Sequence, residues 1–352
     1  MDFYASLTIN RCHLKRMCEI WATRFGKEEF PFRYAIVSPL FVRNGILPTL
    51  YEHREQCNVI FDSGGFHVQQ GRIRLRPAIR KLRRLYRENN WADRFALPDA
   101  PITSMDTPDV VRSKLDSTRR QYRTFPAGFP HSFRCKFLPV VHGTTTGEVH
   151  RSMLAARNVL SKSLGFGGFS TSGPNSGVNS CTAQSLRLLV DFVELCKKWN
   201  LDSHVFGIGG PAAIAVLRHV SVNSFDSAGW IRTAAYGNVY LPHIGALNIT
   251  GAAHSRRYVT AREFRHLRGA TGHECEFCTD QALLLRSWHH RALHNYCTIK
   301  TLTQSLRDTP AQQTLEKLRA FNPRYAGYLQ MVLALRRRPK RDGASQGIEV
   351  AL

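Results

Sequence analysis

Two short segments of this chain place a carboxylate at the end of an apolar run. In Phe61-Asp62-Ser63-Gly64-Gly65-Phe66 the acid is followed by two glycines, which let a ligand approach the backbone. Phe225-Asp226-Ser227-Ala228-Gly229-Trp230 repeats the design with small residues after the acid. Two carboxylates facing each other can divide the work of retaining glycoside chemistry. One is the nucleophile and the other the general acid and base. Taken singly, each Asp also reads as the cap of the following turn.

A third group is His273-Glu-Cys275-Glu-Phe-Cys278, with His294 after 15 intervening residues. Tetrahedral zinc takes two ligands from such a tight loop and often more from a following helix. Cys275-x-x-Cys278 alone is moderately specific, and His273 and His294 strengthen it. His289, His290 and Cys297 compete as ligands, and free thiols with surface histidines are the plain alternative. No nucleophile or base accompanies the cluster, so the zinc reads as structural. A fourth group is a basic helix at 72–87 that includes Arg80, Lys81, Arg83 and Arg84; Arg256-Arg257 and Arg336–Arg341 add to it. Such charge can follow a phosphate backbone, or simply solvate a helix face.

The elements that must position these residues are visible as short apolar runs. They begin at Tyr34, Asn58, Arg94, Phe137, Ser163, His204 and Val222. Unalternated runs of this kind suit strands of a parallel sheet buried on both faces. Helical spacing lies between them at 72–90, 182–199 and 211–220, the last opened by Pro211. Alternating strand and helix predicts an α/β fold, a (β/α)8 barrel of the TIM type, with a small zinc-binding subdomain near the C-terminus. Such barrels carry their chemistry at the C-terminal strand ends. That is where Asp62, Asp99, His142, Gly167, Gly168 and Asp226 fall. The expected division is 1–268 for the barrel, 269–330 for the zinc-binding subdomain and closing helices, and 331–352 for a basic, flexible tail.

The partner is read from charge. The 352 residues hold 49 Lys+Arg against 26 Asp+Glu, a net charge of +23. A polyanion is implied, nucleic acid first and an anionic membrane surface second. The nine cysteines are scattered and odd in number, which argues against a disulfide framework and for a reducing cytoplasm. The sequence contains no run long enough for a membrane span, no leader-like start and no Walker-type phosphate loop.

These residues together resemble the tRNA-guanine transglycosylase superfamily. Asp62-Ser-Gly-Gly-Phe66 matches its first signature. Phe225-Asp226 followed by Arg232, Tyr236-Gly237-Asn238 and Gly245-Ala-Leu-Asn-Ile249 matches its nucleophile segment. His142-Gly143 stands where bacterial members have Gln-Gly, Gly167-Gly168-Phe169 where they have Gly-Gly-Leu, and Phe206-Gly-Ile-Gly209 where they have Met-Gly-Val-Gly. The matches keep their order over roughly 30–310. The chain departs from the pattern in having His273 where the family has a first zinc-ligand Cys, and in a shorter gap to His294. It is also more basic, and it has no C-terminal RNA-binding domain of the archaeal kind. Compact basic members of this kind look like the DNA 7-deazaguanine transglycosylases of bacteria and their phages.

The resemblance implies exchange of guanine in DNA for a 7-deazaguanine such as 7-cyano-7-deazaguanine, with tRNA as the alternative substrate. Asp226 would attack C1′ and Asp62 would serve as acid and base. Asp99 would accept from the purine N1–H and 2-amino group. Phe66 and Phe206 would sandwich the base, and His142 with the Gly167-Gly168 backbone would contact its O6 edge. Each phenylalanine alone also reads as core packing. Arg80, Lys81, Arg83, Arg84, Arg232, Arg256 and Arg257 would hold the nucleic acid. Family members are often dimers through the zinc region, so a homodimer is among the expected partners. A noncatalytic nucleic-acid-binding subunit on the same fold is the reading from another class.

Overall fold

The computed structural model describes residues 1–26, 29–41, 45–169, 181–252 and 257–337. Among them, nine strands form one parallel sheet. In chain order they are β1 Asp2–Ser6, β2 Tyr34–Val37, β3 Asn58–Phe61, β4 Arg94–Ala96, β5 Phe137–Leu138, β6 Val140–Val141, β7 Ser163–Phe166, β8 Asp202–Val205 and β9 Ser224–Ser227. Their spatial order is β5-β4-β3-β2-β1-β9-β8-β7-β6. The two edges of this sheet are consecutive in the chain, separated only by Pro139. Proline has no N–H to give a ladder, yet the stretch accepts on both sides. Lys136 and Leu138 carbonyls bond the N–H groups of Phe95 and Leu97, while Pro139 and Val141 carbonyls bond those of Gly165 and Gly167. The sheet is therefore nearly closed into a barrel, as the alternating pattern predicts.

The first strand, Asp2–Ser6, is not among the expected runs. It pairs with β2 on one side and β9 on the other, and without it the ring would have a gap. The helices 183–198 and 211–220 form close to where their spacing predicts.

Side chains alternate across each strand. Tyr4, Ile36, Ile60 and Leu138, with Tyr34 and Phe206, form a cluster of their own inside the barrel. Their neighbours Phe3, Ala5, Ala35, Val37, Val59, Phe61 and Phe137 belong to the larger core under the helices. Counting by two from the inner residues puts Asp62 on the barrel's inner side. Phe206, just past β8, is itself an inner residue, and two residues back, on β8, lies His204. On β9, Phe225 belongs to the outer core, so Ser224 and Asp226 face inward.

A second, smaller core sits beside the barrel. The hairpin of β10 (Asn238–Leu241) and β11 (Gly245–Asn248) packs with the helices Ala261–Thr271 and Gln281–Arg286. Val239, Leu241, Ile249, Val259, Phe264 and Leu284 are its buried residues, so it draws on both sides of residue 268. The helix Trp288–Ser305 then packs against β1, the hairpin and the helices at 211–220 and 229–235. Residues 331–337 were expected to begin a flexible tail. They instead continue the helix Pro323–Arg337, in which Val332 is buried and Arg336 bonds the His219 carbonyl and the Ser221 hydroxyl. The apolar side of that turn has a core to join, which charge counting does not reveal. The rest of the expected tail lies outside the described residues. No helix among the described residues is long and apolar enough to cross a membrane.

Candidate active site

Asp62 follows β3 directly. Its backbone N–H still extends the ladder to the Val37 carbonyl, and its side chain accepts from the Gly64 N–H at 3.0 Å. Gly64 makes this turn at φ 75°, a conformation that other residues rarely take. Burial, and then the nearby carboxylates of Asp99 and Asp226, push the Asp62 pKa up to about 7. It is thus a carboxyl that holds a proton near neutral pH.

Asp99 follows β4 and is buried. Oδ1 accepts from Ser63 Oγ at 2.7 Å, and Oδ2 lies 2.7 Å from His142 Nε2. The other ring nitrogen of His142 lies 3.0 Å from the Gly167 carbonyl, which can only accept. Nδ1 therefore carries a hydrogen, and a further proton must sit between Nε2 and Oδ2 for the short contact to be a bond. The expected base-recognition residues Asp99 and His142 are thus brought together as one proton-sharing pair. A carboxylate offers about four lone-pair sites, so Asp99 keeps capacity to accept from a base edge. His142 has both ring nitrogens engaged, by Asp99 and by the Gly167 carbonyl. Gly167 likewise uses both backbone groups, its N–H on Val141 and its carbonyl on His142.

Glycine is required where these side chains meet. A Cβ on Gly65 would lie 2.5 Å from Asp99 Oδ1, and one on Gly167 would lie 2.4 Å from His142 Cε1. Gly167→Ala is therefore expected to push His142 off Asp99. It should cost about 1–3 kcal/mol, as overpacking does, read as a fall in Tm. Gly210→Ala, whose Cβ meets nothing within 4 Å, is the control for steric overlap and should lower Tm less, by the N-cap preference for glycine over alanine alone.

Asp226 lies on β9 and is 7% exposed. Its Oδ1 accepts from the Gly207 N–H at 2.9 Å. His204, fully buried on β8, places Nε2 at 3.5 Å from the same oxygen. His204 was not among the expected site residues, although counting back by two from Phe206 puts it on the same side. Phe206 is half-buried and sits over Gly165, where a Cβ would lie 2.3 Å from its ring. Phe66 is half-buried in the turn after Asp62, its ring edge-on to His67 at 5.8 Å.

The basic helix is the four-turn segment Leu75–Glu88, with Ala78, Leu82 and Tyr86 buried at every fourth position. It leaves the mouth and runs back along the barrel's outside. Toward its far end Arg83 bonds the Thr124 carbonyl and lies over the Phe125 ring, and Arg87 does the same with Gly128 and Phe129. Arg83 thus docks one helix on the next segment. Arg84 pairs with Glu88 at 3.5 Å, and Arg80 and Lys81 are exposed. Arg232 is exposed on the helix that follows Asp226, and Arg257 is paired with Glu263. Arg256 lies outside the described residues.

His273, Cys275, Cys278 and His294 form one cluster, their donor atoms all within 4.8 Å of one another. The helix Ala261–Thr271 ends on Gly272 in the left-handed region, which aims His273 inward. The Cys278 N–H closes the loop on the Cys275 carbonyl, and the two sulfurs lie 3.3 Å apart. The Cys275 thiol and the two imidazoles lower the Cys278 pKa, favouring a thiolate. His294 Nε2 is buried without a hydrogen-bond partner, and Thr298 Oγ1 lies 3.2 Å from His273 Nε2. Two sulfurs and two imidazoles, one of them with an orphaned buried nitrogen, fit a metal ion. His289, His290 and Cys297 are not in the cluster; His289 instead faces His13 at 3.1 Å.

The residue after His294 connects this cluster to Asp226. Asn295 accepts from the Tyr240 N–H and donates to the Trp230 and Asn238 carbonyls. The helix that carries His294 therefore clips the segment that runs on from the candidate nucleophile. A scan against models of known protein families finds no match, and a search of curated proteins finds none.

Proposed function

We propose that the barrel mouth exchanges a guanine in DNA for a 7-deazaguanine base through a covalent intermediate on Asp226, in the manner of the tRNA-guanine transglycosylase superfamily. The observation that carries this reading is the division of labour between carboxylates. Asp62 holds a proton near neutral pH, while Asp226 presents an oxygen fixed by a backbone N–H. A proton-holding carboxyl beside a second carboxyl fixed by a backbone N–H suits the paired roles of acid and nucleophile.

Asp226 attacks C1′ as the C1′–N9 bond breaks, and Asp62 gives its proton to the departing guanine. The incoming base then loses its N9 proton to Asp62 and attacks C1′, and the electron pair of the ester bond returns to Asp226. Two displacements retain the configuration. The target nucleotide must leave its stack to reach the mouth, and the chain's +23 charge favours the phosphate backbone. Zinc is the metal that two thiolates and two imidazoles suit best, and its part is to hold the hairpin and the helix of His294 together.

The test is entry of labelled guanine or labelled 7-cyano-7-deazaguanine into duplex DNA and into a tRNA pool. Label in DNA alone supports the reading, and label in tRNA alone transfers it to RNA. Label in neither leaves a binding subunit.

The pH profile checks Asp62. Base departure needs its protonated form, so exchange should fall about tenfold per pH unit above about 7. Stability follows the same group. A raised carboxyl pKa gives stability that is present below the ordinary carboxylate range and lost as pH rises through about 7. Asp62→Asn should abolish exchange yet lose less Tm than wild type as pH rises from about 4 to about 7. A wild-type rate that stays flat to pH 9 would remove Asp62 from the role.

A further inference from the structure

His204 stands in register with Ser224 on the neighbouring strand, two residues before Asp226. The imidazole is fully buried, with Tyr4 edge-on at 5.6 Å and Phe206 at 4.6 Å between ring centres. Its Nδ1 lies 2.9 Å from Ser224 Oγ. Its Nε2 has no hydrogen-bond partner and lies 3.5 Å from Asp226 Oδ1. A carboxylate oxygen only accepts, so the tautomer that fits carries its hydrogen on Nε2, and the Ser224 hydroxyl donates to Nδ1. Burial lowers the His204 pKa against the pull of Asp226, which favours the neutral ring.

We propose, resting on the base-exchange reading, that His204 is a positioning residue for Asp226, one that speeds release of the covalent intermediate. The Gly207 N–H bonds Oδ1 and the His204 Nε2 faces the same oxygen at 3.5 Å, close enough to donate as charge builds there, leaving Oδ2 to form the bond to C1′. Once that bond exists, Oδ1 is the carbonyl oxygen of a glycosyl ester. When the incoming base attacks, the C1′–Oδ2 pair returns to the carboxylate and negative charge spreads onto Oδ1. Donors at Oδ1 bind a carboxylate more strongly than an ester carbonyl. They therefore help the second displacement and slightly oppose the first. Without His204, Asp226 becomes a better nucleophile and a poorer leaving group, and the enzyme stalls as adduct.

The experiment compares wild type, His204→Leu, His204→Gln and Ser224→Ala. It reads the steady-state exchange rate and the fraction of enzyme covalently held to the nucleic acid on a denaturing gel. His204→Leu should slow exchange about tenfold to a hundredfold while the adduct fraction rises. His204→Gln, which can present an N–H, should recover most of both. Exchange that slows with no rise in adduct overturns the proposal, as does a Gln variant that behaves like Leu. If His204→Leu does not fold, Ser224→Ala, which frees the ring's tautomer, must shift the adduct fraction upward; an unshifted fraction overturns the proposal. Wild type forming neither exchange product nor adduct would instead bring down the base-exchange reading itself, and the role of His204 with it.

Discussion

Asp226→Asn is expected to reduce base exchange by more than about a thousandfold and to leave no covalent adduct, with Tm almost unchanged. The amide has nearly the shape of the carboxylate, and its oxygen can still accept the Gly207 N–H that now reaches Oδ1 at 2.9 Å. It is not a nucleophile toward C1′, and losses of a nucleophile are among the largest single-residue effects in enzymes. The substitution has a second readout. Asp226 is one of the charges that raise the Asp62 pKa, after burial and Asp99. Removing it should move the Asp62 titration downward, visible by carboxyl NMR, while most of the upward shift stays. Exchange within about tenfold of wild type would exclude Asp226 as nucleophile. Nucleic-acid binding unchanged in the variant, with no exchange in the wild type either, is the result the binding-subunit reading requires.

Much of this architecture was legible because its signals are local. Strands buried on both faces read as plain apolar runs, and an Asp after such a run, followed by small residues, marks a strand end. The Cys275-x-x-Cys278 loop is likewise a matter of spacing, and the structure brings its expected partners His273 and His294 to it. What stayed hidden depends on pairing between distant segments. Strand β1, Asp-Phe-Tyr-Ala-Ser, is too short to stand out. It is a strand because β2 and β9 flank it. His204 sits within an expected strand, but its relation to Asp226 comes from the β8–β9 register. Ser63 was in view as part of a motif, yet its bond to Asp99 spans 36 residues. Charge counting fails for a similar reason. Arg83 looks like any other cation of its helix until its partner, the Thr124 carbonyl, is placed beside it. The turn of helix at 331–337 was masked by the arginines that follow it.

Removal of a metal ligand should have the largest effect on stability. Cys278 is buried, and its sulfur is 3.3 Å from that of Cys275 and within the reach of two imidazoles. Without that ligand the site would hold a metal by three donors, and the small core of Val239, Leu241, Ile249, Val259, Phe264 and Leu284 is too small to hold its shape by apolar burial alone. A loss of about 4 kcal/mol, at about 2 °C per kcal/mol for a chain this long, predicts a Tm about 8 °C lower for Cys278→Ser. The consequence should reach the barrel mouth. His294 and Asn295 are adjacent on one helix; the first belongs to the cluster and the second bonds Trp230, Asn238 and Tyr240. Chelation of wild type should therefore lower Tm and exchange together, and zinc should restore both. Asn295→Ala separates the two halves of this linkage: metal content should stay at wild-type level by elemental analysis while exchange falls. If Cys278→Ser keeps both its Tm and its metal content, the cluster is not a metal centre. If it loses metal but retains full exchange, the clip through Asn295 does not carry the cluster's influence to Asp226.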